Sequence, residues 1–360
     1  MITQEIGSLA KPNWRVKFIR GRKLSENDLR ELKYWDEMLG LRFDFDILKE
    51  RNEESLRRIV EHSALQAIRL LERAGLDIVF DGEQFRTEMY EYPLRHVEGF
   101  EFVGLVRSFD NKYYRKAACV DVPRLRKPYH LEEFLFVKRH TKRRIKVPIT
   151  GPYTLAEWSY NEYYVRKHGR GYDAKREFVL DVARNVIRPN LEALIREGAE
   201  IIQVDEPALT TKPDEIPIFV EAFNDMTSGL RCKFNIHICY SDYSVLFPDI
   251  LELKNCSQLA LEFANRDDEK RSGYELLKTL KDYSYEWELG LGVVDVHTDF
   301  IEPPELIRDR ILYATRFLDP EKIIVNPDCG LRTRTWDVAF AKLRNMVKGA
   351  RMAEEVLRFA

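Results

Sequence analysis

Long apolar runs are missing from this 360-residue chain. None approaches the roughly 18 residues that read as a membrane span, so a membrane enzyme is not expected. A charge excess of one sign is missing too. Fifty-eight basic residues face 60 acidic ones, a formal net charge of -2, so no global basic field is there to recruit nucleic acid. Cysteine is scarce. Five cysteines, an odd and scattered set, do not form a disulfide framework, and a reducing cytoplasm is the expected setting. Their spacing is not that of a zinc finger, and no clean internal repeat emerges. The opening residues Met1 to Ser8 lack a charged region followed by an apolar one, so secretion is not expected. What the chain has is core: 44% of its residues are hydrophobic, enough for one long domain.

Short β-rich runs alternate with longer helical ones. Strands are expected at 2–6, 76–80, 145–150, 201–204, 233–238, 258–262, 289–294 and 322–325. In 54–74, Leu56, Ile59, Val60, Ala64, Ala67, Ile68 and Leu71 recur at helical spacing, and Gly75 ends the run. Further helices are expected at 173–197, 214–227, 267–282, 303–317 and 336–356. Eight strands, mostly followed by helices, favour parallel pairing and a closed (β/α)8 TIM barrel of the α/β class. Residues 1–360 then form one catalytic domain. The charged, aromatic-rich stretches at about 9–53 and 84–144 read as insertions after the first and second strands. Phe102 to Arg107 and Tyr113 to Val120 suggest a hairpin over one end of the barrel.

The unusual polar residues fall just after strands, the face on which barrel enzymes place their sites. His237 and Cys239 are two apart, so on an extended chain both side chains point the same way. Glu262 ends the next strand and Cys329, followed by Gly330, ends the last. A mixed imidazole, thiolate and carboxylate set suits one zinc ion. Each residue also has an ordinary reading, His237 as a hydrogen-bonded core histidine and Glu262 as a rim carboxylate paired with arginine. Cys119, Cys232 and Cys256 read as small hydrophobes. Glu83, Asp205 and Glu206 suit an ammonium clamp, acid–base work or a helix cap. His297 suits proton transfer or a loop hydrogen bond. Trp158 suits stacking on a flat ligand or plugging the rim. The charged residues from Glu302 to Arg310 read as solvated helix surface.

These residues carry a resemblance. Ile6-Gly7-Ser8, Asp81-Gly82-Glu83, Thr150-Gly151-Pro152, Ile202 to Leu209, His237 to Ser241, Asp295-Val296-His297 and Asn326 to Arg334 follow in order. Together they resemble the catalytic C-terminal barrel of cobalamin-independent methionine synthase. The resemblance implies one zinc held by His237, Cys239, Glu262 and Cys329, binding homocysteine as a thiolate. It implies that Ile6, Gly7 and Ser8 place the amino acid, that Glu83 and Asp205 pair with its ammonium, and that His297 assists protonation of the departing methyl carrier. It puts Trp158 on the donor side and implies no tightly bound organic cofactor.

The long members of that family carry two related barrels, and their N-terminal half helps to bind a polyglutamylated methyltetrahydrofolate. This chain has the length of one, and so looks like a short core methionine synthase. Some of those take methyl from a methylated corrinoid protein, the expected donor here. Methyltetrahydrofolate is the alternative, as is a related methyltransferase acting on another thiol. A non-catalytic zinc barrel is the bland competitor.

Overall fold

A computed structural model describes residues 1–107 and 113–359. In chain order the strands are β1 (Ile2–Thr3), β2 (Ile78–Val79), β3 (Val97–Arg107), β4 (Tyr113–Leu125), β5 (Arg144–Thr150), β6 (Tyr160–Asn161), β7 (Ile201–Asp205), β8 (Lys233–Ile238), β9 (Cys256–Leu261), β10 (Glu288–Gly292) and β11 (Ile323–Asn326). Among the described residues, eight of them pair in the order β1-β11-β10-β9-β8-β7-β5-β2, every pair parallel. A parallel bridge between Gln4 and Ile78 joins the two ends. The expected (β/α)8 barrel is therefore the fold.

The first two strands are shorter than expected. Backbone groups beyond them are taken by side chains: Gln203 Nε2 donates to the Ile6 carbonyl at 2.7 Å, and Lys146 donates to the Glu5 carbonyl. Strand β5 keeps Pro148 in its middle. Gly151 N–H donates to the Asp205 carbonyl of β7, so by alternation residue 148 turns its missing N–H towards β2. There pairing has already ended at Val79↔Ile145, and the proline costs no ladder bond.

The helix expected at 54–74 runs Glu53–Ala74, with a capping box at Asn52 and a left-handed Gly75 at φ 96°. The segment expected at 173–197 is helical over Tyr172–Val182 and Arg188–Arg196. A wider π turn, Ala183–Ile187, lies between, where Pro189 has no N–H to close a tighter one. The expected helix at 267–282 is mostly absent: only Leu276–Leu280 is α-helical, after one 3-10 turn at Ser272–Tyr274. Here the chain folds tightly under the loop after β9. A Cβ on Gly273 would meet the Phe263 carbonyl at 2.3 Å, and Arg271 is left-handed at φ 62°.

The stretch 9–53 folds as two helices, Asn13–Ile19 and Glu26–Leu39, and a 3-10 turn. They share a small core of Trp14, Phe18, Leu32, Phe43, Ile47 and Ile59. Within 84–144, β3 and β4 form the antiparallel hairpin, to which β6 adds in parallel. The helix Leu131–His140 then leads into β5. The basic run beginning at Asn111 and Lys112 lies in part outside the described residues. Cys119 is wholly buried in the main core, and Cys232 and Cys256 pack against it partly buried; all five cysteines are free.

The barrel interior is polar where barrels are usually filled with branched aliphatics. Gln4 Nε2 donates to Gln258 Oε1 at 2.6 Å and to Asn326 Oδ1 at 3.3 Å, and Asn235 Nδ2 reaches the same Gln258 oxygen at 3.4 Å.

The two C-terminal helices, Pro304–Ala314 and Trp336–Arg358, touch at Gly349. A Cβ there would meet Ile307 Cβ and the Pro304 carbonyl oxygen, both at 2.7 Å. Gly349→Ala gains about 1 kcal/mol of helix propensity. It loses about 1–3 kcal/mol to overpacking against a backbone that cannot yield. We expect net destabilisation, read from the denaturant midpoint; a more stable variant would contradict the packing.

Candidate metal and substrate site

His237 lies on β8 opposite Ala260 of β9. Its Nδ1 sits 3.1 Å from the Ala260 carbonyl, which can only accept, so Nδ1 carries the proton. In the neutral ring this leaves the Nε2 lone pair free, 3.4 Å from Cys329 Sγ. Cys239 follows two residues on, and Tyr240 then turns the chain at φ 52°. The ligand atoms of His237, Cys239 and Cys329 all lie within 4.8 Å of one another. The neighbouring Cys239, together with burial, holds the Cys329 thiol well above its ordinary range. Two thiols crowded in this way beside an imidazole lone pair form a donor set that a soft divalent cation satisfies.

Glu262, the fourth expected ligand, falls outside this group of three: neither of its carboxylate oxygens comes within 4.8 Å of all three donor atoms. Its Oε2 accepts from Asn265 Nδ2 at 2.8 Å and lies 3.4 Å from His297 Nε2. Its Oε1 is buried with no hydrogen-bond partner. A buried, unpartnered carboxylate oxygen next to a His-Cys-Cys group fits a fourth ligand position. Sequence reasoning named these four residues but missed what holds them. Asp328, buried beside Cys329, accepts the backbone N–H groups of Phe263, Ala264 and Asn265 at 2.9, 2.9 and 2.6 Å. It ties the loop after β9 to the end of β11. Gly292 makes room, since a Cβ there would sit 2.2 Å from Asp328 Oδ1.

The expected clamp residues gather along the same rim. A Cβ on Gly7 would meet Glu83 Oε1 at 2.7 Å, and one on Gly330 would meet Ser8 Oγ at 2.5 Å. The Ile6-Gly7-Ser8 turn therefore lies between Glu83 on one side and the chain just past Cys329 on the other. Gly82 and Glu83 are both left-handed, at φ 62° and 58°. The bend is held by Asp81, whose Oδ1 accepts the Glu83 N–H at 2.8 Å, and by Lys11 Nζ, 3.0 Å from the Glu83 carbonyl. Asp205 accepts from Gln203 Nε2 at 2.7 Å, and the same amide nitrogen donates to the Ile6 carbonyl. Burial, opposed by His237 and reinforced by the charge of Glu83, pushes Asp205 up to about 7.

Asp205 and Glu206 part company. Successive residues of a strand face opposite ways. Asp205 shares the inward face with Gln203, while Glu206 accepts the backbone N–H groups of Tyr153 and Thr154 at 3.0 and 2.7 Å. Glu206 thus caps the start of the neighbouring helix Pro152–Glu157, a structural role.

His297 is partly exposed, with its ring centroid 5.2 Å from that of Tyr240. Trp158 sits elsewhere on the rim, its ring 6.1 Å from that of Tyr90 and 6.4 Å from that of Tyr114 in the hairpin. The loop carrying His297 is held by residues that looked like surface. Glu302 and Arg310, expected to be solvated, are buried. Lys342 Nζ is 2.9 Å from Glu302 Oε2 and donates to the Asp295 carbonyl at 2.9 Å, while Glu302 Oε1 accepts the Asp295 N–H at 2.8 Å. Helical periodicity places Lys342 on the inner face of the last helix, but a lysine there reads as polar until its partner is known.

The Lys342–Glu302 pair is 0% and 1% exposed. Lys342→Met leaves Glu302 charged and buried, so a loss of about 3–5 kcal/mol is expected in equilibrium unfolding. A loss below about 1 kcal/mol would mean that the pair is solvated after all.

Comparison with known proteins agrees with this geometry. Residues 41–352 match the family model described as the catalytic domain of cobalamin-independent synthase. The methionine synthase of Thermoplasma acidophilum is 38% identical over 368 residues, covering 96% of this chain and 96% of that one. The methionine synthase of Thermococcus kodakarensis is 39% identical, covering 99% and 94%. Among solved structures, a B12-independent methionine synthase from a Shewanella species, in complex with selenomethionine, aligns with a TM-score of 0.78 at 24% identity over 99% of both chains, a likeness of fold.

Proposed function

The chain belongs to the cobalamin-independent methionine synthase family and is a methyltransferase that forms methionine from homocysteine, and we propose that it works at the His237–Cys239–Cys329 rim with zinc and a corrinoid-borne methyl group. The observation that carries the reading is the meeting of these three donor atoms within 4.8 Å beside the unpartnered Glu262 oxygen. Zinc held by His237, Cys239, Glu262 and Cys329 would supply a Lewis acid that lowers the pKa of the substrate thiol.

The remaining work belongs to the protein's own groups. Hydrogen bonding of Nδ1 to Ala260 keeps Nε2 of His237 available as a donor. Asp328 and Asn265 hold Glu262 in place from the far side of the loop. Glu83 and Asp205 accept the ammonium of homocysteine, which fixes the amino acid and so aims its sulfur. Gly7 keeps the space beside Glu83 open, and Ser8 and the Ile6 backbone line the turn that receives the amino acid.

In the transfer the sulfur–methyl bond forms as the carrier–methyl bond breaks, and that electron pair stays with the carrier. A nitrogen carrier then takes up a proton, while a corrinoid cobalt needs none. With such a carrier His297, 3.4 Å from Glu262 at the rim, would give that proton.

The corrinoid-protein donor draws support from the hairpin, which follows β2 and so rises from the C-terminal end of the barrel. It presents Val103, Leu105, Tyr113 and, from the added strand, Tyr160 at 52–68% exposure. An apolar rim of this kind suits a protein carrier better than a free cofactor. The family's description as cobalamin-independent favours the second reading, methyltetrahydrofolate. Trp158, packed with Tyr90 and Tyr114 beneath the hairpin, would face either donor.

Two measurements test the proposal. Purified protein should hold about one zinc per chain, and Asp328→Asn should weaken zinc about 10- to 100-fold by loosening the loop behind Glu262. Full zinc affinity in that variant would refute the positioning role. In a methionine-forming assay, turnover is expected with methylated corrinoid protein and to be little changed by His297→Asn. Turnover with methyltetrahydrofolate alone, falling by about 100-fold or more in His297→Asn, would replace the corrinoid donor by the folate.

A further inference from the structure

Directly before the Ile6-Gly7-Ser8 turn, Glu5 points a carboxyl group into the protein with no partner. The residue is 3% exposed, and both Oε1 and Oε2 are buried without a hydrogen bond. Lys146, the nearby buried cation, spends its contact on the Glu5 main-chain carbonyl. A carboxyl left in this way is costly, and native proteins rarely keep one without a use. Around it stand Lys146 on β5, Asp81 and Glu83 after β2, and Asp205 at the end of β7. Burial pushes Glu5 up to about 8; Lys146 opposes this, and the charges of Glu83, Asp81 and Asp205 add to it. Asp81 and Glu83 have Arg86, Arg15 and Lys11 as counter-charges, and Asp205 has His237, so in this corner of the barrel mouth it is the Glu5 carboxyl that is left with Lys146 and no hydrogen bond.

We infer that Glu5 is a third acceptor for the substrate's ammonium group, set below Glu83 and Asp205. An ammonium presents three N–H donors, and a third carboxylate gives each of them a separate acceptor group. Arrival of the cation adds positive charge beside Glu5, where Lys146 bonds only the main-chain carbonyl, and satisfies oxygens that the free protein leaves bare. Glu5 then contributes to telling an amino acid from a thiol that lacks the amino group, since removing one partner of a buried charged hydrogen bond strands the other. The inference rests on the homocysteine clamp proposed above.

The test compares homocysteine with 4-sulfanylbutanoate, which keeps the thiol and carboxylate and lacks the amine. Glu5→Gln is expected to raise KM for homocysteine roughly 10- to 100-fold, with kcat changed far less, and to lower the preference for homocysteine over the deaminated thiol by the same factor. Glu5→Asp, which keeps the charge and shortens its reach, should recover part of that preference.

Melting of the substrate-free protein separates this role from a structural one. Glu5→Met removes an unpartnered polar group and should melt at or above the parent temperature. A marked fall would mean that the carboxyl already serves the fold, and would overturn the inference. So would a Glu5→Gln variant that keeps the parent preference, or that loses both thiols equally.

Asp205→Asn distinguishes the two levels of the argument. If it weakens homocysteine while Glu5→Gln does not, the clamp stands and only the third acceptor falls. If it binds homocysteine as before, the clamp falls and the inference with it.

Discussion

Asp328 carries more of this site than its size suggests. Its two carboxylate oxygens take three consecutive backbone N–H groups from the loop that follows β9. Asp328 itself is the residue before Cys329 at the end of β11. One side chain therefore sets the distance between the strand end that bears Glu262 and the one that bears Cys329. Because β10 runs between those two strands, the bond must pass over it, which is why Gly292 at the end of β10 has no room for a Cβ. The three N–H groups would otherwise face a dry interior unpaired, so the contact is strongly favoured once the barrel has closed.

The rest of the interior follows a related logic. A barrel lined with branched aliphatics would be easier to fold, but it could not hold a charged substrate near its axis. Here an amide layer of Gln4, Asn235, Gln258 and Asn326 replaces the lower core, and each member bonds another. Above it, Gln203 bonds both Asp205 and the Ile6 carbonyl, so the main chain of the proposed clamp and one of its carboxylates share a single support. Spare hydrogen-bonding capacity occurs at both levels: Gln4 Oε1, Asn235 Oδ1 and Gln203 Oε1 are buried without a partner, as are both oxygens of Glu5 and Oε1 of Glu262. Preorganised, unfilled hydrogen-bonding capacity at a strand end is what a binding site looks like before its ligand arrives.

Much of this was legible from residue order. Alternating strand and helix patterns led to the barrel, and the placement of His237, Cys239, Glu262 and Cys329 just after strands put them on one rim. The misreadings have physical causes. The helix expected at 267–282 has enough apolar residues, but tight packing of Gly273 against the loop after β9 bends the chain before a long helix can form. Glu302, Arg310 and Lys342 look like solvated charge in any local window. They are buried because the last two helices bring opposite charges together behind the His297 loop, a pairing 40 residues apart for Lys342 and Glu302. Glu206 was left open between clamp and cap, and the cap it forms belongs to a helix more than 50 residues earlier in the chain.

The sequence by itself determined which chemistry is available: soft and imidazole donors, carboxylates for a cation, a histidine near them, and a strand–helix rhythm that closes into a barrel. It determined these because residue type and local period are local properties. Only the tertiary structure decided which donors meet. His237 and Cys329 are 92 residues apart, and their contact depends on how β8, β9, β10 and β11 stack around the barrel. It also decided that Asp205 faces inward while Glu206 caps a neighbour, and that Glu5 is buried with nothing to bond. Those outcomes arise from strand register and barrel closure, which depend on every strand at once and are not encoded in the spacing of any one segment.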